Sequence, residues 1–209
     1  MTVNIKPVPR TTLDDWPLDE VGLPVRAVRA SRGLGLRTVG QLRGCPDEKL
    51  LKRWGFGRKT LADVHNFFVL CERIEQGAQT FRCLREVFEL LLRDEQRDIL
   101  YARFRLDAPA SDAPWKRATL QALSLTRNIT RERVRQIEKK ALEALQSRPA
   151  QVCLDPFYAA IAARLEQHEY VVDATLLKEL QSDPLQGGWQ PAGVLALMAK
   201  VNPARLQLE

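Results

Sequence analysis

Apolar residues recur at every third or fourth position along much of the chain, which is the spacing of the buried face of an α-helix. In the first part of the chain this spacing predicts short helices near residues 24–32, 38–43, 47–53 and 58–75. Further on it predicts helices near residues 84–92, 99–104, 120–125, 130–145, 157–165, 176–180 and 192–199. No stretch alternates clearly between apolar and polar residues, as a half-buried strand does. We therefore expect an all-α fold.

The sharpest division between two helix faces lies in residues 130–145. One face carries the apolar residues Val134, Ile137, Ala141 and Leu145. The opposite face carries the polar residues Arg131, Glu132, Arg135, Gln136 and Lys139. Thr130 is a favourable N-cap residue, and a turn at 126–129 connects this helix to the one near 120–125. The pattern is typical of a helix-turn-helix, in which the second helix packs one face and presents the other to a DNA groove.

A second candidate DNA-binding feature is Gly55-Phe56-Gly57, which is followed by Arg58 and Lys59. The two glycines permit a tight turn, and the free amides at the start of the next helix can hold a phosphate oxygen. The two cations add positive charge at the same place. An ordinary connection between two helices has the same glycine pattern, so the turn by itself leaves both interpretations open.

Residues 16–68 resemble the C-terminal domain of the α subunit of bacterial RNA polymerase. The resemblance rests on residues 23–26, 38–42 and 57–61. It implies that Arg26 enters the minor groove of A·T-rich DNA, where the narrow groove concentrates negative potential. It also implies phosphate contacts by Gly57, Lys59 and Thr60, to which Arg58 adds charge. The family has asparagine at the position of Arg29, so we expect Arg29 to add a phosphate contact instead.

Residues 84–147 resemble region 4 of the housekeeping-type bacterial sigma factors, which recognises the −35 promoter element. The resemblance rests on residues 101–104, 130–138 and 140–142, which lie on either side of a polar loop at 107–114. It implies base contacts in the major groove by Arg131, Glu132 and Gln136, whose side chains suit guanine, cytosine and adenine edges respectively. It further implies phosphate or positioning contacts by Arg103, Arg133, Arg135 and Lys140.

The chain divides into five predicted segments. These are an extended arm at 1–15, a helix-hairpin-helix domain at 16–76, a linker at 77–83, a helix-turn-helix domain at 84–148 and a C-terminal helical domain at 149–209. A winged-helix-like unit is one form that the last domain can take. Residues 1–79 and 80–150 carry net charges of +4 and +5, whereas residues 151–209 carry −3. The two tandem helical domains are therefore the expected polyanion-binding part.

Composition excludes several classes of protein. Hydrophobic residues make up 45% of the chain and charged residues 28%, which is compatible with folded domains. No apolar run approaches the roughly 18–20 residues of a membrane span, and the first residues lack the apolar region of a signal peptide. We therefore expect a cytoplasmic, nucleoid-associated protein without a membrane partner.

Residues with catalytic or metal-binding chemistry do not form a recognisable motif. The four cysteines, Cys45, Cys71, Cys83 and Cys153, lack the close spacing of a zinc site and are expected to be reduced thiols. No serine–histidine–aspartate set or phosphate-binding loop of an ATPase is present, and neither histidine is expected to carry chemistry. Trp16, Trp54 and Trp115 are expected to pack in cores or linkers. We expect a protein that is not an enzyme and that needs no cofactor or metal.

The pattern and the two resemblances predict a sequence-specific double-stranded DNA-binding protein, a bacterial or phage transcription regulator. It would recognise promoter-like elements, an A·T-rich minor groove together with a −35-like major-groove site. An alternative is an assembly protein of RNA polymerase that contacts the flap of the β subunit or the sigma or α subunits. A second alternative is the DNA-targeting subunit of a nuclease or defence complex. Residues 149–209 could bind a further protein.

Overall fold

The computed structural model describes residues 2–109 and 115–206 of the chain. The described part is mostly helical, so the expected all-α fold is confirmed. Its first helices are α1 (Arg10–Asp14), α2 (Val25–Arg32), α3 (Val39–Arg43), α4 (Asp47–Leu51), α5 (Arg58–Gln76) and α6 (Leu84–Leu91). The later ones are α7 (Asp94–Phe104), α8 (Leu120–Arg127), α9 (Arg131–Gln146), α10 (Arg148–Gln167), α11 (Ala174–Ser182) and α12 (Pro191–Val201). Residues 110–114 of the expected polar loop lie outside the described residues.

The described residues fall into two compact units. The N-terminal unit consists of Asn4–Thr80 and Ser147–Val152. The C-terminal unit consists of the described residues of Phe81–Gln146 and Cys153–Glu209, together with those of Met1–Val3. The domain bounds expected from the sequence stay a prediction.

The N-terminal unit is a bundle of short helices around a shared apolar core. Its buried residues include Leu13, Trp16, Leu18, Val39, Leu42, Leu50, Phe56 and Val64. Helix α5 begins after Gly57 and ends at Gly77, which adopts the left-handed conformation (φ 61°) that favours glycine at a helix end.

The expected extended arm at 1–15 is interrupted by two elements that apolar spacing did not indicate. Residues 10–14 form α1 because Pro9 begins the helix and Leu13 is fully buried. The short strands β1 (Val3–Asn4) and β2 (Thr80–Phe81) pair in a two-stranded sheet. Each strand has only two residues, which is too short for a recognisable alternation of apolar and polar positions.

The C-terminal unit contains α6 to α9, the greater part of α10, and α11 and α12. Helix α9 packs against both α7 and α8, and α12 packs against α7 and α9. Trp189, which precedes α12, is fully buried against the rings of Phe88 and Tyr101, with centroid distances of 5.2 and 4.9 Å. A Cβ atom at Gly193 would overlap the carbonyl oxygen of Phe104. Residues beyond 183 thus share a core with α6 and α7.

Helices of the described residues are either too short or too polar to cross a lipid bilayer.

Candidate nucleic-acid interface

Helices α8 and α9 form the helix-turn-helix that the sequence predicts. Helix α8 ends at Asn128, whose φ of 52° lies in the left-handed region that asparagine tolerates better than most residues. The amide of Ile129 donates to the carbonyl of Ser124 at 3.1 Å, which closes the turn. The hydroxyl oxygen of Thr130 then accepts a hydrogen bond from the amide of Arg133 at 3.1 Å. Thr130 therefore caps the start of α9, as expected.

A small apolar cluster fixes the orientation of α9. Val134 and Ile137 are buried against Leu123 of α8 and Ile99 of α7. Ser124 is buried as well, and its hydroxyl donates to the carbonyl of Gln121 at 2.8 Å. The serine therefore fits between the two helices with its polar group satisfied. Because one side of α9 is anchored in this way, the opposite side faces solvent.

The three residues expected to contact bases lie exposed on that solvent-facing side. Arg131 has no hydrogen-bond or ion-pair partner among the described residues. The carboxylate of Glu132 accepts from Nε and Nη2 of Arg135, both at 2.7 Å, and from Nε2 of Gln136 at 3.1 Å. These hydrogen bonds lower the pKa of Glu132 to about 2. Glu132 is therefore ionised at neutral pH and holds Arg135 and Gln136 beside it.

The four cations expected to contact phosphate near α9 have different environments. Lys140 is exposed and has no partner among the described residues. Arg135 belongs to the Glu132 cluster. Arg133 is exposed, but its Nη2 atom donates to both carboxylate oxygens of Glu95 on α7, at 2.8 and 3.0 Å. Its availability to DNA depends on the release of that carboxylate.

The expected phosphate contact by Arg103 does not fit the structure. Arg103 is 8% exposed, and its Nε donates to the buried carboxylate of Glu138 at 3.3 Å. Lys200 of α12 and Arg117 also approach Glu138, at 3.3 and 3.9 Å. Arg103 is directed inward because α7 places it opposite Glu138 of α9, so its side chain cannot reach a phosphate in this structure. Glu138 is the buried centre of an ionic network that joins α7, α9, α12 and the segment before α8, and the sequence pattern indicated no such role.

The glycine turn before α5 is open to solvent in the N-terminal unit. Gly55 has a φ of 77°, whereas Gly57 is extended, and a Cβ atom at either position would meet no neighbour within 4 Å. The first backbone hydrogen bond of α5 runs from Leu61 to Gly57 at 3.0 Å. The three preceding amides, of residues 58–60, consequently have no partner within the helix. The backbone can therefore be approached closely at this point.

The side chains around that turn only partly match the expected site. Arg58 and Lys59 are exposed and have no partner among the described residues. The expected phosphate contact by the side chain of Thr60 is wrong, because Thr60 is only 7% exposed and its side chain packs into the N-terminal unit. A phosphate contact by Thr60 is thereby limited to its backbone amide.

Arg26 and Arg29 lie three residues apart on α2, so they project from neighbouring turns of one helix face. Both are exposed and unpaired within the described residues. Helix α2 packs against α5, which places the arginines and the glycine turn in the same small unit. The roles of these residues in binding bases or phosphates stay predictions.

Comparison with protein families gives a match over the helix-turn-helix. The family model for sigma-70, region 4 matches residues 91–147, which include all of α7, α8 and α9. Comparisons with curated proteins and with solved structures found no match. The resemblance of residues 16–68 to the polymerase α subunit stays a prediction. Residues 91–147 are a sigma region 4-like helix-turn-helix module, a DNA-binding type of module found in transcription.

Proposed function

We propose that this protein is a sequence-specific double-stranded DNA-binding regulator of transcription that acts by binding and not by catalysis. The helix-turn-helix would recognise a −35-like element in the major groove. The N-terminal unit would contact an A·T-rich minor groove and its phosphates through Arg26, Arg29 and the glycine turn.

The observation that carries this proposal is the exposed face of α9. Arg131 is unpaired there and offers two parallel donors that suit the O6 and N7 atoms of guanine. Next to it, Glu132 and Gln136 are held in one hydrogen-bonded cluster, which limits the conformational freedom that they would lose on binding. The buried contacts of Val134 and Ile137 keep this face directed outward.

Two weak contacts on one chain can give useful affinity. Once one unit is bound, the other meets its DNA site at an effective concentration of roughly millimolar order. The affinity of the two units together then exceeds that of either unit alone by roughly 10²- to 10⁴-fold. The arrangement would suit a protein that recognises two promoter-like elements together.

A double variant tests the proposal. Arg131→Ala combined with Gln136→Ala should cost about 1–3 kcal/mol for each base interaction that it removes, measured as the difference in affinity between preferred and scrambled duplexes. Because both side chains are exposed, the variant should unfold at the same denaturant concentration as the wild-type protein. Retention of the full sequence preference would contradict the assignment of α9 as the base-contacting helix.

Association with RNA polymerase is a second proposal, favoured by the sigma region 4-like module. It predicts that purified polymerase retains the protein, and that the double variant is retained equally because the DNA-facing residues are not used. Loss of retention in the double variant, or no retention of the wild type, would contradict it.

A further inference from the structure

Trp54 is fully exposed, with a relative accessibility of 101%. It was expected to pack in a core or linker, and that expectation is wrong. Trp16 and Trp189 are buried, as large aromatic residues usually are in folded proteins. An indole ring with no contact to its own molecule contributes no packing energy to the fold. Its position therefore calls for an explanation outside the stability of the chain.

The turn that carries Trp54 is fixed at both ends. The amide of Phe56 donates to the carbonyl of Arg53 at 3.1 Å, which closes a four-residue turn with Trp54 at its corner. Gly55 supplies the positive φ that the third position of such a turn requires. Phe56 is buried, and Nη2 of Arg53 lies 2.4 Å from where a Cβ atom of Gly33 would be, so the arginine packs closely over that glycine. The backbone conformation at Trp54 is thus fixed, and its indole projects into solvent.

The chain on either side of Trp54 is basic between Glu48 and Asp63. Residues 49–62 contain five exposed cations and no carboxylate, and the cations are Lys49, Lys52, Arg53, Arg58 and Lys59. A partner that covers the indole must also accept this positive rim. A polyanion with apolar surface between its charges meets both requirements, and duplex DNA has this character because deoxyribose rings separate its phosphates.

We propose that Trp54 is a DNA-contacting residue whose indole packs on deoxyribose at the edge of the groove next to the glycine turn. This inference rests on the proposed DNA binding by the N-terminal unit and adds to it an apolar contact that neutralises no phosphate. Partial burial of an indole at roughly 25 cal/mol per Å² gives an affinity gain of about tenfold. The salt dependence of binding should not change, because no counterion is released by an uncharged side chain.

The test compares Trp54→Ala, Trp54→Phe and Lys59→Ala with the wild-type protein. Each protein is titrated with an A·T-rich duplex over a range of salt concentrations. We expect Trp54→Ala to bind about tenfold more weakly with an unchanged salt slope, and Trp54→Phe to bind with intermediate affinity. Lys59→Ala should instead make the salt slope shallower by about 0.9. Thermal unfolding should be unchanged in both Trp54 variants because the side chain contacts nothing.

Quenching of tryptophan fluorescence by acrylamide supplies an independent measurement. The difference in quenching between the wild type and Trp54→Phe isolates the exposed indole, and duplex DNA should protect it. If the wild type binds DNA while Trp54→Ala binds equally well and the indole stays accessible, the inference is overturned and the proposed function stands. A changed salt slope in Trp54→Ala would also overturn it. If the wild type fails to bind duplex DNA, both the proposed function and this inference fail.

Discussion

Replacing Glu95 by glutamine should strengthen DNA binding. Glu95 on α7 accepts two hydrogen bonds from Nη2 of Arg133 on α9, and both side chains are about half exposed. Arg133 is one of the cations expected to contact phosphate, and in the free protein its charge is compensated by this carboxylate. The substitution removes one negative charge beside the solvent-facing side of α9 and releases the guanidinium.

The expected change in the salt dependence of binding follows from the number of cations that are free to bind phosphate. Each neutralised phosphate contributes about −0.9 to the slope of log K against log salt. The exposed, unpaired members of the expected phosphate-contacting set are Arg29, Arg58, Lys59 and Lys140. These four predict a slope of about −3.6 for the wild type, and the release of Arg133 changes it to about −4.5. Removal of the Glu95 charge also removes its repulsion of a bound phosphate, which adds roughly 0.5 kcal/mol of affinity for two charges about 8 Å apart in water.

The assay is fluorescence anisotropy with a labelled duplex at several salt concentrations. Glu143→Gln is a matched control, because it removes the same charge from a pair with Lys139, which lies on the same polar face of α9 but is assigned no base or phosphate contact. The control should gain affinity slightly without a change of slope. The free energy of unfolding of Glu95→Gln should fall by no more than about 1 kcal/mol, since exposed ion pairs contribute little. An unchanged slope and affinity in Glu95→Gln would refute the assignment of Arg133 to phosphate.

Three further predictions concern the glycine turn, the ionic network around Glu138 and the aromatic contacts of Trp189. Gly57→Ala should leave the fold intact, since its Cβ meets no atom, yet weaken duplex binding several-fold. Gly55→Ala should instead lower the free energy of unfolding by about 1–2 kcal/mol, because the φ of Gly55 is positive. Unfolding and DNA titration of both variants separate the two effects. Glu138→Ala should lower the free energy of unfolding in urea by about 3–5 kcal/mol because Arg103 is left buried without its closest carboxylate, and a decrease below 1 kcal/mol would contradict the network. Trp189→Ala should also lower the free energy of unfolding by about 3–5 kcal/mol in the same assay, and a decrease below 1 kcal/mol would contradict a core shared with the helix-turn-helix.

Local signals in the sequence predicted the helix-turn-helix well. Apolar spacing predicted α8 and α9, and Thr130 marked the start of α9 because a threonine cap is recognisable without knowledge of the fold. The glycine turn was also predictable, since a positive φ and an open backbone both favour glycine. The exposed positions of Arg131 and Gln136 followed from the same helical spacing.

The direction of individual charged and aromatic side chains was not predictable. Arg103 and Glu138 are separated by 35 positions, and their pairing depends on how α7 crosses α9, which no local pattern reveals. Trp54 lies two positions before buried Phe56, and only the turn geometry distinguishes the exposed ring from the buried one. The contact of Gly193 with Phe104 likewise depends on the packing of α12, so the C-terminal helices looked independent of the helix-turn-helix.

Selection of bound sequences from a pool of random DNA duplexes tests the central claim most directly. The wild-type protein should enrich one preferred element, with an A·T-rich stretch at a fixed distance from it. The Arg131→Ala/Gln136→Ala variant should lose the preference at the one or two base pairs that those side chains contact, while retaining the A·T-rich stretch. Recovery of a pool no different from the starting pool would contradict the claim that this protein recognises DNA sequence.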